Sequence, residues 1–403
     1  MNPSRPSGLA WYLAAVQFVF LSCWTVYAIF LPGLLEQMGV PRGWALWLLL
    51  ADQVLFAVFD VATGYYADRV FRLYGRIGPW VVGITSLSCL AFLLLPWVAA
   101  AGTGAWQAPL FMALAVLWVV TSSALRAPVF ALLTRHAAAP QTPRLAGLAL
   151  AGMALAGALA PYLGASLKGL DARLPFLLSS LALIALAWGL IRAERQPASA
   201  APAPAAPGSA LATVSAKHFY GPLLLAALAF QCFFSLGAAP RYLQHVGVSQ
   251  LAWLMPVFWI GFNITVFNTG VLTRHLGSLR ACGAGGILAG LGALLPGVLD
   301  GLYSMLLAQF LGGMGWGWVL AASFGVCAEL GRSGAVRGEA AAYGLMFAML
   351  ALATFGRVGL QLAEAPSLPQ WPQVLRWLPP ALWLLSAALW WCAARPVLTR
   401  RHI

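Results

Sequence analysis

The dominant pattern along the chain is a series of long apolar runs separated by short polar segments. Each run holds about 20 residues, which is enough for a helix to cross roughly 30 Å of hydrocarbon. Strands of a membrane barrel would instead alternate apolar and polar positions over about ten residues. The pattern therefore predicts an all-α membrane protein with twelve transmembrane helices. The predicted spans cover residues 9–32, 44–67, 79–101, 109–133, 145–167, 174–193, 219–239, 251–273, 281–300, 303–328, 341–363 and 377–395.

Between the sixth and seventh runs the composition changes abruptly. Residues 196–209 are mostly proline and alanine, which is typical of a flexible, partly extended linker. The sequence therefore predicts an N-terminal six-helix bundle over residues 1–195, a cytoplasmic Pro/Ala-rich linker over 196–217 and a C-terminal six-helix bundle over 218–403. Because the segments outside the spans are short, we expect no additional domain.

A glycine followed by a basic loop occurs at the same place in both halves of the chain. Gly64 opens the loop after the second span, and Gly270 opens the loop after the eighth. Paired six-span halves are the sequence mark of one class of secondary transporter. This weak repeat predicts a transporter that moves a small-molecule substrate by alternating access.

Composition and charge place the chain in the membrane. With 62% hydrophobic and 8% charged residues, the chain is too apolar for a soluble protein. The net charge of +13 lies mostly in short loops, which argues against nucleic acid as a partner. With both termini inside, sixteen of the 23 Lys and Arg residues fall on the cytoplasmic side and five outside. We therefore predict a multi-pass protein of the cytoplasmic (inner) membrane, with both termini cytoplasmic and the lipid bilayer as partner.

The chemistry-bearing residues do not predict an enzyme. The six cysteines fall inside apolar runs without Cys-x-x-Cys spacing, and the five histidines are scattered through loops and tails. We expect no metal, no cofactor and a monomeric protein. A channel would more often show a filter-like loop. Saturable flux that depends on an ion gradient would distinguish a transporter from a channel, and lipid turnover without flux would indicate a membrane enzyme.

Residues 60–80 carry the motif Asp60-x3-Gly64-x3-Asp68-Arg69-x5-Gly75-Arg76-x2-Pro79-Trp80. This motif resembles the loop between spans two and three of the major facilitator superfamily. The five-residue gap and the closing Pro-Trp are most similar to the branch that includes melibiose permease and other glycoside–cation symporters. The resemblance implies a cytoplasmic gate built from Gly64, Asp68, Arg69, Gly75 and Arg76. It places Asp68 near the N-terminus of span eleven, where a carboxylate suits the helix dipole.

The same resemblance implies a role in ion coupling for Asp60. In that branch the carboxylate four residues before the glycine helps to bind the coupling cation. The branch usually has a proline after this aspartate and a second carboxylate four residues before it, whereas this chain has Val61 and Phe56. The departure weakens the case for a paired-carboxylate sodium site, so either proton or sodium is the predicted ion.

A second pattern favours a different transport mode. Span five reads Gly147-x8-Ala156-x3-Ala160-Pro161-x2-Gly164, which is similar to a Gly/Pro pattern common in superfamily antiporters, with two glycines replaced by alanine. This resemblance implies, as an alternative, a proton-driven multidrug or metabolite efflux antiporter. Close packing of small residues between helices would explain the pattern equally well.

Four charged residues fall inside predicted spans: Asp52, Asp60, Arg126 and Arg357. A charge at membrane depth is costly unless it is paired or faces water. Matching depths predict an Asp60–Arg126 pair within the first half and an Asp52–Arg357 pair between halves, the latter as an outer gate. Asp60 is the first candidate for ion coupling and Asp52 the second. The alternative is that each pair only neutralises charge and fixes packing.

Candidate substrate contacts follow from helix periodicity. Gln17, Phe20, Trp24 and Tyr27 share one face of span one, which lines the central cavity in the fold that the resemblance implies. Aromatic rings beside an amide suit a sugar-like solute or another ring-bearing polar compound, although such a stripe can also be helix packing. The predicted cavity residues are Gln17, Trp24, Tyr27, Gln231, Asn263 and Asn268.

Overall fold

A computed structural model describes residues 4–135, 141–167, 169–194, 215–364 and 367–394. These residues form α-helices joined by short turns, and no strand occurs among them. The helices are α1 (Ser4–Gln37), α2 (Trp44–Tyr74), α3 (Gly78–Ala100), α4 (Gln107–Ser122), α5 (Ala127–Arg135), α6 (Thr142–Ser166), α7 (Arg173–Glu194), α8 (Lys217–Phe230), α9 (Ala238–Tyr242), α10 (Leu251–Leu254), α11 (Pro256–Leu276), α12 (Ser278–Val298), α13 (Leu302–Arg332), α14 (Glu339–Leu362) and α15 (Trp371–Ala393). The all-α prediction is confirmed.

Within the described residues, eleven segments are long and apolar enough to cross a membrane. They correspond to the first eleven predicted spans. The twelfth predicted span lies in α15, a helix of 23 residues that packs against α8 and α12. Its five tryptophans and three prolines make it less apolar than the others, so its role as a span remains a prediction. Residues 196–214 of the predicted linker lie outside the described residues.

Three of the predicted spans contain a break in the α-helix. In the fourth span, α4 ends at Ser122, a 3-10 turn covers Ser123–Leu125, and α5 begins at Ala127. Pro128 explains this break, because proline has no N–H to donate and its ring disfavours helix at the preceding residues. The seventh span continues from α8 into a π-helical turn over Gln231–Leu236. In the eighth, Pro256 starts α11 after the short helix α10.

The short turns make successive long helices antiparallel, so the bundle has two ends. The basic end is the one where α2 and α11 finish and where α3, α6, α12 and α14 begin. The end of α7 lies at this basic end too, because the Glu194 carboxylate accepts the N–H groups of Ile77 and Gly78 at the start of α3, at 2.7 and 2.8 Å. The other end is called the opposite end below.

Two helix pairs make the most extensive contacts between the first half of the described chain (residues 4–194) and the second half (215–394). Helix α2 packs against α14, and α6 packs against α11. Both crossings are close because they use glycine. A Cβ on Gly64 would lie 3.1 Å from Ala341 Cα, and a Cβ on Gly147 would lie 3.0 Å from the carbonyl carbon of Val266. Ordinary contact for such an atom begins at 3.4 Å, so neither position has room for a side chain.

Candidate functional site

A cavity of about 240 Å³ lies between the two halves, with walls from α1, α2, α6, α8, α11, α13 and α14. Its lining consists of seven aromatic side chains, five aliphatic ones, four uncharged polar ones and a single arginine, so the walls are mainly apolar. The aromatic residues are Phe20, Trp24, Phe56, Phe230, Trp259, Trp316 and Phe347. The polar and charged residues are Gln17, Gln53, Gln231, Thr354 and Arg126.

The arginine of the cavity sits at the helix break between α4 and α5. Arg126 has φ −102° and ψ −96°, which is outside the helical region. The break removes the usual helical partner of the preceding carbonyl, and Gln17 Nε2 replaces it by donating to Leu125 O at 3.0 Å. The Gln17 side chain on α1 therefore holds the non-helical backbone at Leu125 in place, and the next residue, Arg126, extends towards the cavity.

Asp60 and Arg126 are brought together by the fold. Arg126 Nη1 lies 2.8 Å from Asp60 Oδ2, and the Asp60 side chain is fully buried. Among the described residues no hydrogen bond of good geometry reaches either carboxylate oxygen, so the ion pair with Arg126 is the main interaction of this buried charge. A buried carboxylate with unfilled acceptor positions is costly, and a bound proton or cation would relieve that cost.

Arg126 also closes the cavity towards the basic end. Its guanidinium carbon lies 4.8 Å from the ring centroids of both Phe56 on α2 and Phe347 on α14. Behind it, the buried ring of Phe130 lies 4.4 Å from Phe324 and 5.8 Å from Phe347. These aromatic rings come from both halves, so the cavity floor is a layer that joins them.

The second predicted pair is not formed in this structure. The Asp52 carboxylate accepts a hydrogen bond of 3.3 Å from the Tyr27 hydroxyl, within the first half. Arg357 donates from Nη1 to Gln361 Oε1 at 2.9 Å, within α14. No ion pair joins Asp52 to Arg357 among the described residues. The Asp52–Arg357 pair therefore stays a prediction.

The predicted gate motif lies at the contact between α2 and α14. Asp68 Oδ1 and Oδ2 accept the N–H groups of Ala340 and Ala341 at 3.3 and 2.9 Å, at the N-terminus of α14. A carboxylate there satisfies donors that lack helical partners and suits the helix dipole. Gly75 caps α2 in the left-handed conformation, with φ 68°. Arg69 and Arg76 lie on the exposed surface of the basic end.

The predicted cavity residues divide into two groups. Gln17, Trp24 and Gln231 line the cavity. Tyr27 does not, because it is fully buried against Trp24 and Trp118.

Asn263 and Asn268 also lie away from the cavity lining, because on α11 the cavity-facing position is that of Trp259. Asn268 is exposed and accepts a hydrogen bond of 3.0 Å from Trp318 Nε1, and the Oδ1 atom of Asn263 is buried. Helix periodicity correctly predicted the cavity-lining face of α1. On α11, Asn263 and Asn268 were predicted from their polarity alone, which does not show which face of the helix lines the cavity.

Several cavity residues were not selected from the sequence. Gln53 directly follows Asp52, and it is the uncharged Gln53 that lines the cavity. Phe230, Trp259 and Trp316 come from three different helices. The Phe230 and Trp316 rings are nearly parallel with centroids 5.1 Å apart, and the Trp259 ring lies edge-on to Phe230 at 6.1 Å. Their convergence depends on helix rotation, which the apolar pattern of the sequence does not specify.

The family follows from this sequence and fold together. The sequence profile of the Major Facilitator Superfamily matches residues 13–356. The chain belongs to the Major Facilitator Superfamily. Members of the superfamily are transporters rather than enzymes in general, so the predictions of a membrane transporter and of a small-molecule substrate are confirmed. The glycoside–cation branch remains a prediction.

Solved structures of superfamily transporters have the same fold. A bacterial homologue of the iron transporter ferroportin, in an outward-facing state, is similar with a TM-score of 0.71 and 16% identity, over 96% of this chain and 99% of that one. The human organic anion transporter MFSD10 (TETRAN) is similar with a TM-score of 0.67 and 15% identity, over 97% and 100% of the two chains. At these identities the likeness establishes the fold alone.

Proposed function

We propose that this member of the superfamily is a proton-coupled secondary transporter of a ring-bearing, amphipathic organic solute. The observation that supports it best is the aromatic central cavity, whose single charged lining residue, Arg126, is paired with the buried Asp60. The cavity would hold the solute, and Asp60 would hold the coupling proton.

The lining favours an amphipathic solute over a sugar. A sugar presents many hydroxyl groups, each of which needs a partner when it leaves water. Gln231 has both ends of its amide occupied, by Thr354 and Ser235 at 2.9 Å, and Gln17 has its Nε2 occupied by Leu125 O. The aromatic faces remain available for a flat, apolar ring system. A glycoside is the second candidate, because stacking on Trp24 and Trp259 also suits the face of a sugar ring.

Proton coupling rests on the environment of Asp60. A fully buried carboxylate such as Asp60 depends mainly on the charge of Arg126 to stay ionised. Because Arg126 contacts rings from both halves, a movement of the halves would change its distance from Asp60. Proton binding at Asp60 would then differ between the two conformations, which is the requirement for coupling.

In this proposal the basic end faces the cytoplasm, following the positive-inside bias. The structure then represents a state that is closed to the cytoplasm. Ser235, whose hydroxyl donates to the cavity residue Gln231, is exposed, which is consistent with access from the outer side. In the inward-open state Asp52 and Arg357 would approach and close the outer side, as the sequence predicts.

The direct test is proton release on solute addition, measured in lightly buffered detergent solution. The panel contains a cationic, an anionic and a neutral ring compound (tetraphenylphosphonium, salicylate and a nitrophenol ether) together with melibiose. We expect a ring compound to change the pH with wild-type protein. Asp60→Asn should bind the same compound, measured by tryptophan quenching, without the pH change.

Matched variants keep the test specific. Asp52→Asn removes a second buried carboxylate of α2 and should leave proton release intact. Asp60→Glu retains the ionisable group and should release protons, which guards against loss of folding in Asp60→Asn beside Arg126. A response to melibiose alone would favour the glycoside symporter. Proton release unchanged in Asp60→Asn would make Asp60 a structural partner of Arg126.

A further inference from the structure

A second cavity, of about 450 Å³, lies at the opposite end of the second half and is separate from the central cavity. It forms where α9, the end of α12 and the start of α15 meet. Apolar side chains such as Leu236, Met305 and Trp371 form part of its wall. Two arginines, Arg241 and Arg376, also line it.

Arg241 is held in a partly buried position without a charged partner. Its Nη2 atom donates to Leu375 O on α15 at 2.6 Å. No carboxylate lies within 4.0 Å of its guanidinium among the described residues. A guanidinium carries five N–H donors in a planar fork, so one backbone carbonyl leaves most of its hydrogen-bonding capacity unused. The position of Arg241 is therefore fixed while its charge is not neutralised.

Arg376 brings a second positive charge into the same cavity. It directly follows Leu375, whose carbonyl holds Arg241, and its side chain lies across Gly297 at the end of α12. A Cβ on Gly297 would be 3.1 Å from Arg376 Nε, so the arginine side chain packs directly on this glycine. Burial, and then repulsion by Arg376, lower the pKa of Arg241 below its ordinary value. The two like charges thus lie close enough to destabilise each other.

Arg376 stacks over the Trp377 ring at 5.2 Å, which leaves its guanidinium without a carboxylate partner among the described residues, and the other described arginines at this end also have local partners. The guanidinium of Arg42 forms an ion pair with Glu36, with Nε 2.8 Å from Oε2. Arg173 stacks over the Trp97 ring at 4.5 Å. The second cavity also contains exposed Asp300 and His245, so with neutral histidine its charge is two arginines minus one aspartate, or +1.

We propose that this second cavity is a binding site for a phosphate-type oxyanion, held by Arg241 and Arg376. Arginine forks match the oxygen spacing of phosphate and give charge-assisted hydrogen bonds. An anion between the two guanidinium groups would use their free donors and remove their repulsion. The apolar wall would accept carbon attached to that group. The phosphate could belong to the headgroup of an anionic phospholipid in the adjoining leaflet or to a free anion.

Calorimetric titration of the purified full-length protein in detergent, at constant ionic strength, tests the proposal. The probes are inorganic phosphate, dihexanoyl phosphatidylglycerol and the zwitterionic dihexanoyl phosphatidylcholine. We expect wild type to bind phosphatidylglycerol more tightly than phosphatidylcholine, and Arg376→Gln to weaken that binding at least tenfold. Additional binding of inorganic phosphate would identify a site for free anions, and its absence a site for the lipid headgroup.

Two variants keep the outcome interpretable. Arg42→Gln removes an arginine of the same end that already has a partner, and should bind like wild type. Arg241→Lys keeps one charge but loses the fork, and should weaken binding even if Arg241→Gln fails to fold. Equal binding of the two lipids with no binding of phosphate would overturn the proposal, as would binding that Arg376→Gln leaves unchanged.

Discussion

The contact between α2 and α14 gives the sharpest prediction, because it depends on the absence of a side chain. Gly64 packs against the first turn of α14, where a Cβ would lie 3.0 Å from the Ala340 carbonyl carbon and nearer still to its oxygen. We expect Gly64→Ala to force the two helices apart by about 1 Å, because backbone on both sides cannot yield. The basic end would then open more readily.

The magnitude follows from the hydrogen bonds one turn away. Asp68 accepts two N–H groups from Ala340 and Ala341, and a separation of about 1 Å would break at least one of them. A hydrogen bond to a charged group is worth about 1.5–3 kcal/mol. Loss of one such bond would therefore shift the equilibrium between closed and open basic ends by roughly 10- to 150-fold.

Spin-label distances across the basic end measure this shift. Labels at Tyr74→Cys and Ala335→Cys report on exposed positions of the two halves, and Cys392 is replaced because it is the exposed native cysteine among the described residues. Gly64→Ala should add a longer distance population. Gly83→Ala is the matched control, since a Cβ at Gly83 meets nothing within 4 Å. An unchanged distance distribution in Gly64→Ala would refute the reasoning.

Three further predictions concern single contacts. Asp68→Asn should shift the same label distances in the same direction as Gly64→Ala. In high salt the shift caused by Asp68→Asn should be the smaller of the two, because part of the interaction that this substitution removes is electrostatic. Gln17→Leu should lower the thermal midpoint in detergent, since it leaves the Leu125 carbonyl buried and unpaired at a cost of about 1–3 kcal/mol; an unchanged midpoint would mean that water replaces the amide. Glu194→Gln should lower the midpoint by removing the charge that caps α3, worth about 1 kcal/mol, whereas Asp300→Asn, at an exposed carboxylate that caps no helix among the described residues, should not.

Most of the fold and part of the candidate site could be predicted from the sequence. Apolar run length located eleven spans because the bilayer sets a minimum helix length, independent of packing. Asp68 was placed correctly because its partner is backbone at a helix N-terminus, which any sequence presents there. Asp60 and Arg126 met because both belong to adjacent helices of one half, where depth leaves few alternatives.

The contacts that the sequence did not locate in this structure depend on helix rotation. Asp52 accepts a hydrogen bond from Tyr27 and Arg357 donates one along its own helix, so the predicted contact between them is not formed in this conformation. Asn268 was grouped with the cavity on polarity, but it lies on the exposed side of α11 beside Trp318. Rotation about a helix axis is set by packing against neighbours, and small residues that permit close packing occur all along α12 and α13.

The arrangement along α2 suggests how ion binding and gating are connected. Asp60, Gly64 and Asp68 are spaced by four residues, so they lie on one face of the helix. That face meets α14 at three successive levels: the Asp60 backbone against Gly344, Gly64 against Ala340, and the Asp68 carboxylate against the α14 N-terminus. Any separation at the middle level must therefore disturb the outer two. A change in the charge of Asp60 would act on the same rigid contact that the gate depends on, without requiring a longer route through the protein.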